Sequence, residues 1–337
     1  MIGIGIIGAG RICAAHATAA LALPETRLAA VADVDEGRLA SATQAYGCKG
    51  YLGYEGVLGD PEVDAVVIGL PHFLHEEVTI NSLQAGKHVL LEKPMAMTVE
   101  ECDAMLSAAD ASGKSLMVAH SQHYFPQNLA ARELIRAGEL GHLVLANDTW
   151  YKGFWEGGKR PEWFLDDAKG GGMWAMNGSH MIDRLCFMLD SHVTGVKARV
   201  GNPVFGLSTD MGIAYLDFAC GISATIQHLG YRDGVNRFDA EISGTEAQLK
   251  VGGDGNRAEL WRSRSGAWEE VPLAAPELPT RDGAPQPSPI FGAQLRDFAL
   301  GLLEQRAPSI TADYGRHIVQ VLTACEESSR TGREVIL

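Results

Sequence analysis

The chain has 337 residues, a formal net charge of −14, 46% hydrophobic residues and 21% charged residues. That length holds about two domains, and the mixture excludes a disordered chain, a collagen and a coiled coil. With 42 acids against 28 bases the surface repels a phosphate backbone, so nucleic acid is not an expected partner.

The first 120 residues alternate between two patterns. Short apolar runs at 4–8, 28–33, 65–70, 88–92 and 115–119 read as buried strands. Between them, 12–22, 39–46, 75–85 and 99–112 carry Ala, Leu and Glu at helical spacing. Continuous apolar strands separated by helices predict a parallel sheet covered on both faces. Beyond residue 121 the texture changes. A helix is expected over 128–137, a strand over 143–150, a Gly/Trp/Lys-rich loop over 152–172 and a helix over 173–189. From 193 to 262 the residues alternate apolar and polar, with a turn at Gly252-Gly253-Asp254-Gly255, which predicts a mostly antiparallel sheet. A proline-rich surface loop over 272–289 and two helices, 291–304 and 314–330, complete the chain. The expected fold is α/β plus α+β: a dinucleotide-binding domain over 1–120, then a domain over 121–337 with a large, open, mostly antiparallel sheet.

The six cysteines form no C-x-x-C pair, so neither a zinc site nor a disulfide framework is expected. The simple compartment is a reducing one. The N-terminus enters an apolar run at once, without a basic leader, and no apolar stretch reaches the ~18 residues of a membrane span. These readings place the protein in the cytoplasm with no membrane partner.

Gly8-Ala9-Gly10-Arg11-Ile12-Cys13 follows the first strand and opens the first helix. This is G-x-G-x-x-G/A with Cys in the last place. Gly8 permits the tight turn, and Gly10 leaves space for a pyrophosphate beside the helix N-terminus. Asp33 ends the next strand, at the spacing of an acid that binds the ribose hydroxyls and repels a 2′-phosphate. The pattern favours NAD over NADP, although Arg38 lies near enough to take a phosphate.

Three further segments appear in order: Leu70-Pro71-His72-Phe73-Leu74-His75, then Glu92-Lys93-Pro94 at a strand end, then Gly170-Gly171-Gly172 with Asn177, His180 and Asp183. With the glycine motif, and with Gly244-Thr245 and the tail later on, the chain resembles the Gfo/Idh/MocA oxidoreductases nearly end to end. The resemblance implies a Rossmann domain, NAD(P), oxidation of a hydroxyl on a sugar, polyol or related ring, and a homodimer or homotetramer formed through the open sheet. It implies cofactor contacts from Gly8, Gly10, Arg11, Ile12, Asp33, Arg38, Leu70, Pro71, His72, His75, Glu92, Lys93, Pro94 and Gln122. His72 falls where the family often has an Asn near the nicotinamide ribose.

Oxidising an alcohol needs a base for its proton and a carbon held close to the nicotinamide. Lys93 sits at the carboxyl end of a parallel strand, where open α/β sheets bind ligands. His180 has an imidazole, whose ordinary pKa is near neutrality. The two are expected to share the proton work, with Asn177, His123, Arg160 and Trp163 contacting a small-molecule substrate. Many members of the family carry Asp four residues before this His, and here that place is Met176. On an α-helix Asn177 and Asp183 would each share a face with His180; Asp183 is either a charge partner or a packing carboxylate. The 152–169 loop adds Lys152, Trp155, Lys159 and Lys169, which suit an acid-bearing ring such as a uronate or a carboxylated cyclic diol. His72-x-x-His75 and His120-x-x-His123 lack the acids or thiols of a metal site. Two rival readings stay open: a redox-neutral enzyme with tightly held NAD (elimination, epimerisation or glycoside cleavage), and a non-catalytic NAD-dependent binding protein.

Overall fold

Continuous apolar runs become the inner strands of a parallel sheet. The computed structural model describes residues 1–155, 160–253, 258–274 and 276–337. Lys159 and the Asp254-Gly255 part of the expected turn lie outside the described residues. The chain divides into two units, Met1–Ser121 with Pro276–Arg316, and Gln122–Ala275 with His317–Leu337.

The first unit contains β1 (Ile2–Ile7), α1 (Cys13–Ala22), β2 (Thr26–Asp33), α2 (Glu36–Tyr46), β3 (Lys49–Leu52), α3 (Glu55–Gly59), β4 (Ala65–Ile68), α4 (His75–Gln84), β5 (His88–Leu91), α5 (Val99–Ser112) and β6 (Leu116–Val118). The strands run β3-β2-β1-β4-β5-β6, and every pair is parallel. All residues of β4 and β6 are buried, as expected for strands covered on both faces. Strand order reverses between β1 and β4, the position where such sheets bind ligands at the carboxyl ends of their strands. The helices between them have clear ends. Asp35 caps α2 by accepting from the Arg38 amide at 2.8 Å, and Thr98 and Glu101 form a reciprocal box at the start of α5.

In the second unit α6 (Pro126–Arg136) precedes β7 (Leu143–Gly153), and two short helices follow, α7 (Glu162–Leu165) and α8 (Asp167–Gly170). A π-helical turn, Trp174–Gly178, then leads into α9 (Ser179–Leu189). The expected single α-helix over 173–189 is therefore two elements. After it come β8 (Val193–Gly201), β9 (Met211–Phe218), β10 (Ser223–Tyr231), β11 (Arg237–Gly244), β12 (Gln248–Gly253), β13 (Ala258–Arg264), β14 (Ala267–Glu270) and, near the C-terminus, β15 (Val335–Ile336). They form a nine-stranded sheet with β7 between β11 and β10. Only the β10–β7 pair is parallel. Alternation along β9 and β10 buries Ala214, Leu216, Ala224 and Ile226 and turns Ile213 and Tyr215 outward.

The expectation placed everything after residue 120 in one domain. Pro276–Arg316 instead packs with the first unit. There Arg281 donates to the Leu21 carbonyl at 2.9 Å, Arg296 pairs with Glu25 at 2.9 Å, and α10 (Pro289–Leu303) lies along α1. The last helix, α11 (Ala312–Thr331), is divided between the units at residue 316.

Candidate functional site

The glycine turn after β1 is shaped by two different constraints. Gly8 has φ +102°, and a Cβ there would lie 2.5 Å from the Gly69 carbonyl oxygen, so the fold itself requires glycine. At Gly10 a Cβ would meet nothing within 4 Å. The small residue at Gly10 therefore answers no packing demand of this chain, and it leaves open space at the helix start where a pyrophosphate would approach the backbone. Cys13, in the third small position, is buried. Between this turn and α2 a cavity of about 680 Å³ is lined by Gly10, Cys13, Asp35, Arg38, Ser41 and Tyr46, among others. Its volume is that of a cofactor or drug-sized ligand site.

Asp33 borders the turn. Its Oδ2 accepts from the Ala9 amide at 2.8 Å and its Oδ1 from the Asp35 amide at 2.8 Å. Arg38 grips both oxygens, Nη2 to Oδ1 at 2.7 Å and Nε to Oδ2 at 3.2 Å. Burial pushes the Asp33 carboxyl up, but the Arg38 guanidinium and the two amides outweigh it and hold the group below its ordinary range. The acid is thus an ionised acceptor fixed against the glycine turn. In Rossmann folds an acid at this place binds the ribose hydroxyls of the dinucleotide, and here Arg38 holds the acceptor sites that those hydroxyls would take. Asp33→Ser is expected to lower kcat/KM for NAD about 10–100-fold, the scale of a lost charge-assisted hydrogen bond. Initial rates with NAD and NADP check this; an unchanged NAD to NADP ratio would remove Asp33 from cofactor choice.

The loops after β4 and β5 are tied together by His75. Its ring is buried, with Nδ1 3.0 Å from the Pro94 carbonyl and Nε2 3.0 Å from the Leu70 carbonyl. Both ring nitrogens face backbone, so His75 shapes these loops and offers no ring nitrogen to a cofactor, contrary to the expectation. Glu92 likewise turns to protein: its Oε1 lies 2.8 Å from Nε2 of His16 on α1. Burial pushes the Glu92 carboxyl up, but the His16 ring and the neighbouring Lys93 charge leave it below its ordinary value. Lys93 is half-buried beyond the end of β5, and the Lys93–Pro94 bond is cis. His72 is buried, its ring 5.6 Å from that of His75. Arg11 is exposed and Ile12 half-buried at the start of α1.

In the second unit one of the expected substrate residues, His180, neighbours Trp150. Trp150 on β7 has the His180 ring 5.5 Å away, the Phe238 ring 4.2 Å away and the Lys152 ammonium 5.5 Å from its centroid. Phe238 in turn lies under the Arg184 guanidinium at 3.9 Å, and Arg184 grips Asp148 with two hydrogen bonds of 2.5 and 2.7 Å. Asp183 pairs with His123, Oδ1 to Nε2 at 2.9 Å. The His123 ring stacks on Phe187 at 4.2 Å.

Asn177 stands in the π turn, so the α-helical spacing assumed for it does not hold. Its amide nitrogen instead meets Nε2 of His228 on β10 at 2.9 Å. Nothing in the local spacing points to His228, which lies 51 residues away. One signal was available: a histidine at the inward parity of an alternating strand. Burial, and then the Lys152 charge, push the His228 ring down to about 3. Burial pushes His75 down as well. Both rings bind a proton more weakly in the fold than in the unfolded chain, where the ordinary value is 6.5. Their contribution to stability is complete above that value and is lost as pH falls below it. The thermal midpoint is expected to drop between about pH 7.5 and 5.5, and to drop less in His228→Gln; equal slopes would contradict this.

The remaining expected residues all have partners within the second unit. Arg160 is 8% exposed, donates from Nε to the Phe154 carbonyl at 2.7 Å and lies over Phe164. Trp163 packs on the cluster of Phe154, Phe164 and Met173. Gln122 is buried at the head of α6, its side-chain oxygen accepting from Asn128 at 2.9 Å. Lys169 is paired with Asp166 at 3.4 Å.

A Rossmann sheet with a glycine turn at the start of α1 and an acid at the end of β2 has the form of a dinucleotide-binding domain, and the second unit sets one imidazole, that of His180, beside the Trp150 indole. Residues 2–120 match an oxidoreductase family with an NAD-binding Rossmann fold, and residues 128–250 match the GFO/IDH/MocA C-terminal domain. The chain belongs to the Gfo/Idh/MocA family. It is similar to the 1-carboxy-3-chloro-3,4-dihydroxycyclohexa-1,5-diene dehydrogenase of Comamonas testosteroni, 30% identical over 68% of this chain and 58% of that protein. It is also similar to the scyllo-inositol 2-dehydrogenase (NAD(+)) of Bacillus subtilis, 27% identical over 73% of this chain and 72% of that protein. Among solved structures, the aldose–aldose oxidoreductase of Caulobacter crescentus complexed with glycerol superposes with a TM-score of 0.84. It is 26% identical, and the match covers 100% of this chain and 99% of that one.

Proposed function

We propose that the chain is an NAD-dependent dehydrogenase acting on a secondary hydroxyl of a sugar, polyol or hydroxylated cyclic acid. The observation that carries this reading is the set around Trp150: one indole flanked by the His180 imidazole and the Lys152 ammonium. An indole face suits the C–H face of a saturated ring, an imidazole exchanges a proton near neutral pH, and an ammonium binds oxygen or carboxylate. Bound NAD supplies the hydride acceptor. Asp33 holds the ribose hydroxyls of the cofactor. Lys93 donates a hydrogen bond from Nζ to the alcohol oxygen, His180 takes the alcohol proton on its ring, and Asn177 orients the hydroxyl. The Comamonas relative is named for a carboxylated dihydroxy ring. Lys152 is the cation here that such a carboxylate would meet, so carboxylated cyclic diols and uronates belong with inositols and sugars among the candidates.

The test is NADH formation by purified protein with NAD and a panel of sugars, inositols, uronates and cyclic diols, beside NADP and a Lys93→Ala control. NADH from one substrate class and a dead control support the reading. No NADH from any class, with NAD carried through purification and products of elimination or epimerisation, would replace net oxidation by redox-neutral chemistry.

The assembly is proposed to be a homodimer or homotetramer formed through the outward face of the nine-stranded sheet. Ile213 and Tyr215 on β9 and Leu145 on β7 are 50%, 46% and 46% exposed there. Light scattering should give a multiple of the 36.1 kDa chain mass, and Ile213→Lys should shift it toward one chain. A monomeric wild type would end this proposal.

A further inference from the structure

The π turn docks on the inner face of the sheet through three adjacent sites. At Gly212 on β9 a Cβ would collide with the Trp174 ring, and at Gly230 on β10 it would lie 2.5 Å from the Met173 sulfur. These glycines leave room for the turn to settle onto the strands. Between them in the register stands His228, which pairs with Gly212 across β9–β10 and with Trp150 across β10–β7. It occupies the inward parity of β10 together with Ala224 and Ile226, positions otherwise filled by apolar side chains. A 1% exposed imidazole there costs more than an apolar residue of similar size, and its Nδ1 has no hydrogen-bond partner among the described residues. Its hydrogen-bond partner among the described residues is the amide nitrogen of Asn177, 2.9 Å from Nε2.

We infer that His228 is a positioning residue that fixes the orientation of the Asn177 amide. An amide nitrogen can only donate, so Nε2 accepts and the ring proton resides on Nδ1. The Asn177 nitrogen is thereby committed to β10, and its Oδ1 is the atom left to receive a hydrogen bond from a substrate hydroxyl. Without the imidazole acceptor the two ends of the amide become nearly equivalent, and half of the orientations present a donor where an acceptor is required. The buried ring stays neutral as pH falls, because burial and the Lys152 charge both oppose its protonation. A charged ring would lose the acceptor and release the amide. The inference rests on the reading of Asn177 as the residue that orients the substrate hydroxyl.

Two experiments separate the pairing from that reading. The first needs no substrate: ¹⁵N spectra of histidine-labelled protein. One ring should show the neutral tautomer protonated on Nδ1, unchanged from about pH 8 to 5, and it should vanish in His228→Gln. A His228 ring that titrates in this range, or that carries its proton on Nε2, would overturn the inference. The second is kinetic, with whichever alcohol reduces NAD. His228→Leu removes the acceptor and should lower kcat/KM about tenfold, with the affinity for NAD unchanged, as for one lost hydrogen bond. His228→Gln places an acceptor oxygen near the Nε2 position and should recover most of the loss. In an Asn177→Leu background His228→Leu should have no further effect. If Asn177→Leu leaves kcat/KM intact, the reading of Asn177 fails. If Asn177→Leu is impaired but a folded His228→Leu is not, or His228→Gln is as poor as His228→Leu, the pairing fails alone.

Discussion

His180→Ala is expected to lower kcat by about 10²–10⁴-fold, the contribution of a well-placed general base. Hydride departure from carbon leaves a carbonyl only if the alcohol proton departs too, so the base acts in the same step or just before it. The ring is at the head of α9, directly after the π turn, and its contact with Trp150 at 5.5 Å confines its orientation. Because Trp150 and Asn177 also bind ring and hydroxyl in the proposed scheme, KM should change less than kcat. The expected signatures are a larger isotope effect from deuterium at the oxidised carbon and a variant rate that climbs with pH as hydroxide replaces the base. Lys93→Met in the same assay tests the hydrogen bond to the alcohol oxygen. If His180→Ala costs less than about fivefold while Lys93→Met abolishes turnover, the proton goes to the lysine, and His180 is a binding group.

Much of the fold was legible because burial leaves a local trace. Runs such as Ala65–Ile68 and Leu116–Val118, buried along their whole length, read as strands of a sheet covered on both faces, the first inside the sheet and the second at its edge. Alternation along Ser223–Tyr231 marks a one-sided sheet just as directly. The edge strand Lys49–Leu52 left no such trace, since three of its four residues are exposed and its identity comes from pairing with β2. The swap of Pro276–Arg316 into the first unit was hidden for a related reason: a proline-rich segment announces a loop but not which surface it crosses. Motif positions singled out Asp33, Lys93, Asn177 and His180 as candidates, whereas the partners that the fold gives such residues are mostly distant in the chain. Arg38 on Asp33 spans five residues and was visible as a nearby cation. His123 with Asp183 spans 60 residues, and Asn177 with His228 spans 51 across a helical turn whose π geometry no periodicity revealed. Helical spacing offered Asp183 as a partner for His180, and the fold gives it His123.

Arg184→Met should destabilise the second unit by about 3–5 kcal/mol, because it strands a fully buried carboxylate. Arg184 and Asp148 are 1% and 0% exposed at their side chains, so little solvent screens the pair. It joins α9 to β7 two residues from Trp150, and the guanidinium also covers Phe238, which packs on that indole. A thermal midpoint lowered on the order of 10 °C is the corresponding scale for a unit of this size. The sign of the pH dependence is specific. Burial pushes the Asp148 carboxyl up, and Arg184 is what pulls it down. Without the arginine the acid can stay buried only by holding a proton. Its folded pKa then lies above the unfolded one, so the variant is least impaired at low pH and loses stability as pH rises. Asp148→Leu combined with Arg184→Met removes both charges and should regain most of the loss, as buried pairs replaced by apolar residues often do. Denaturant midpoints of the single and double variants at two pH values check all three statements. A double variant as unstable as the sum of the single ones would mean that each side chain is held by its other neighbours, Phe238 among them, rather than by its partner.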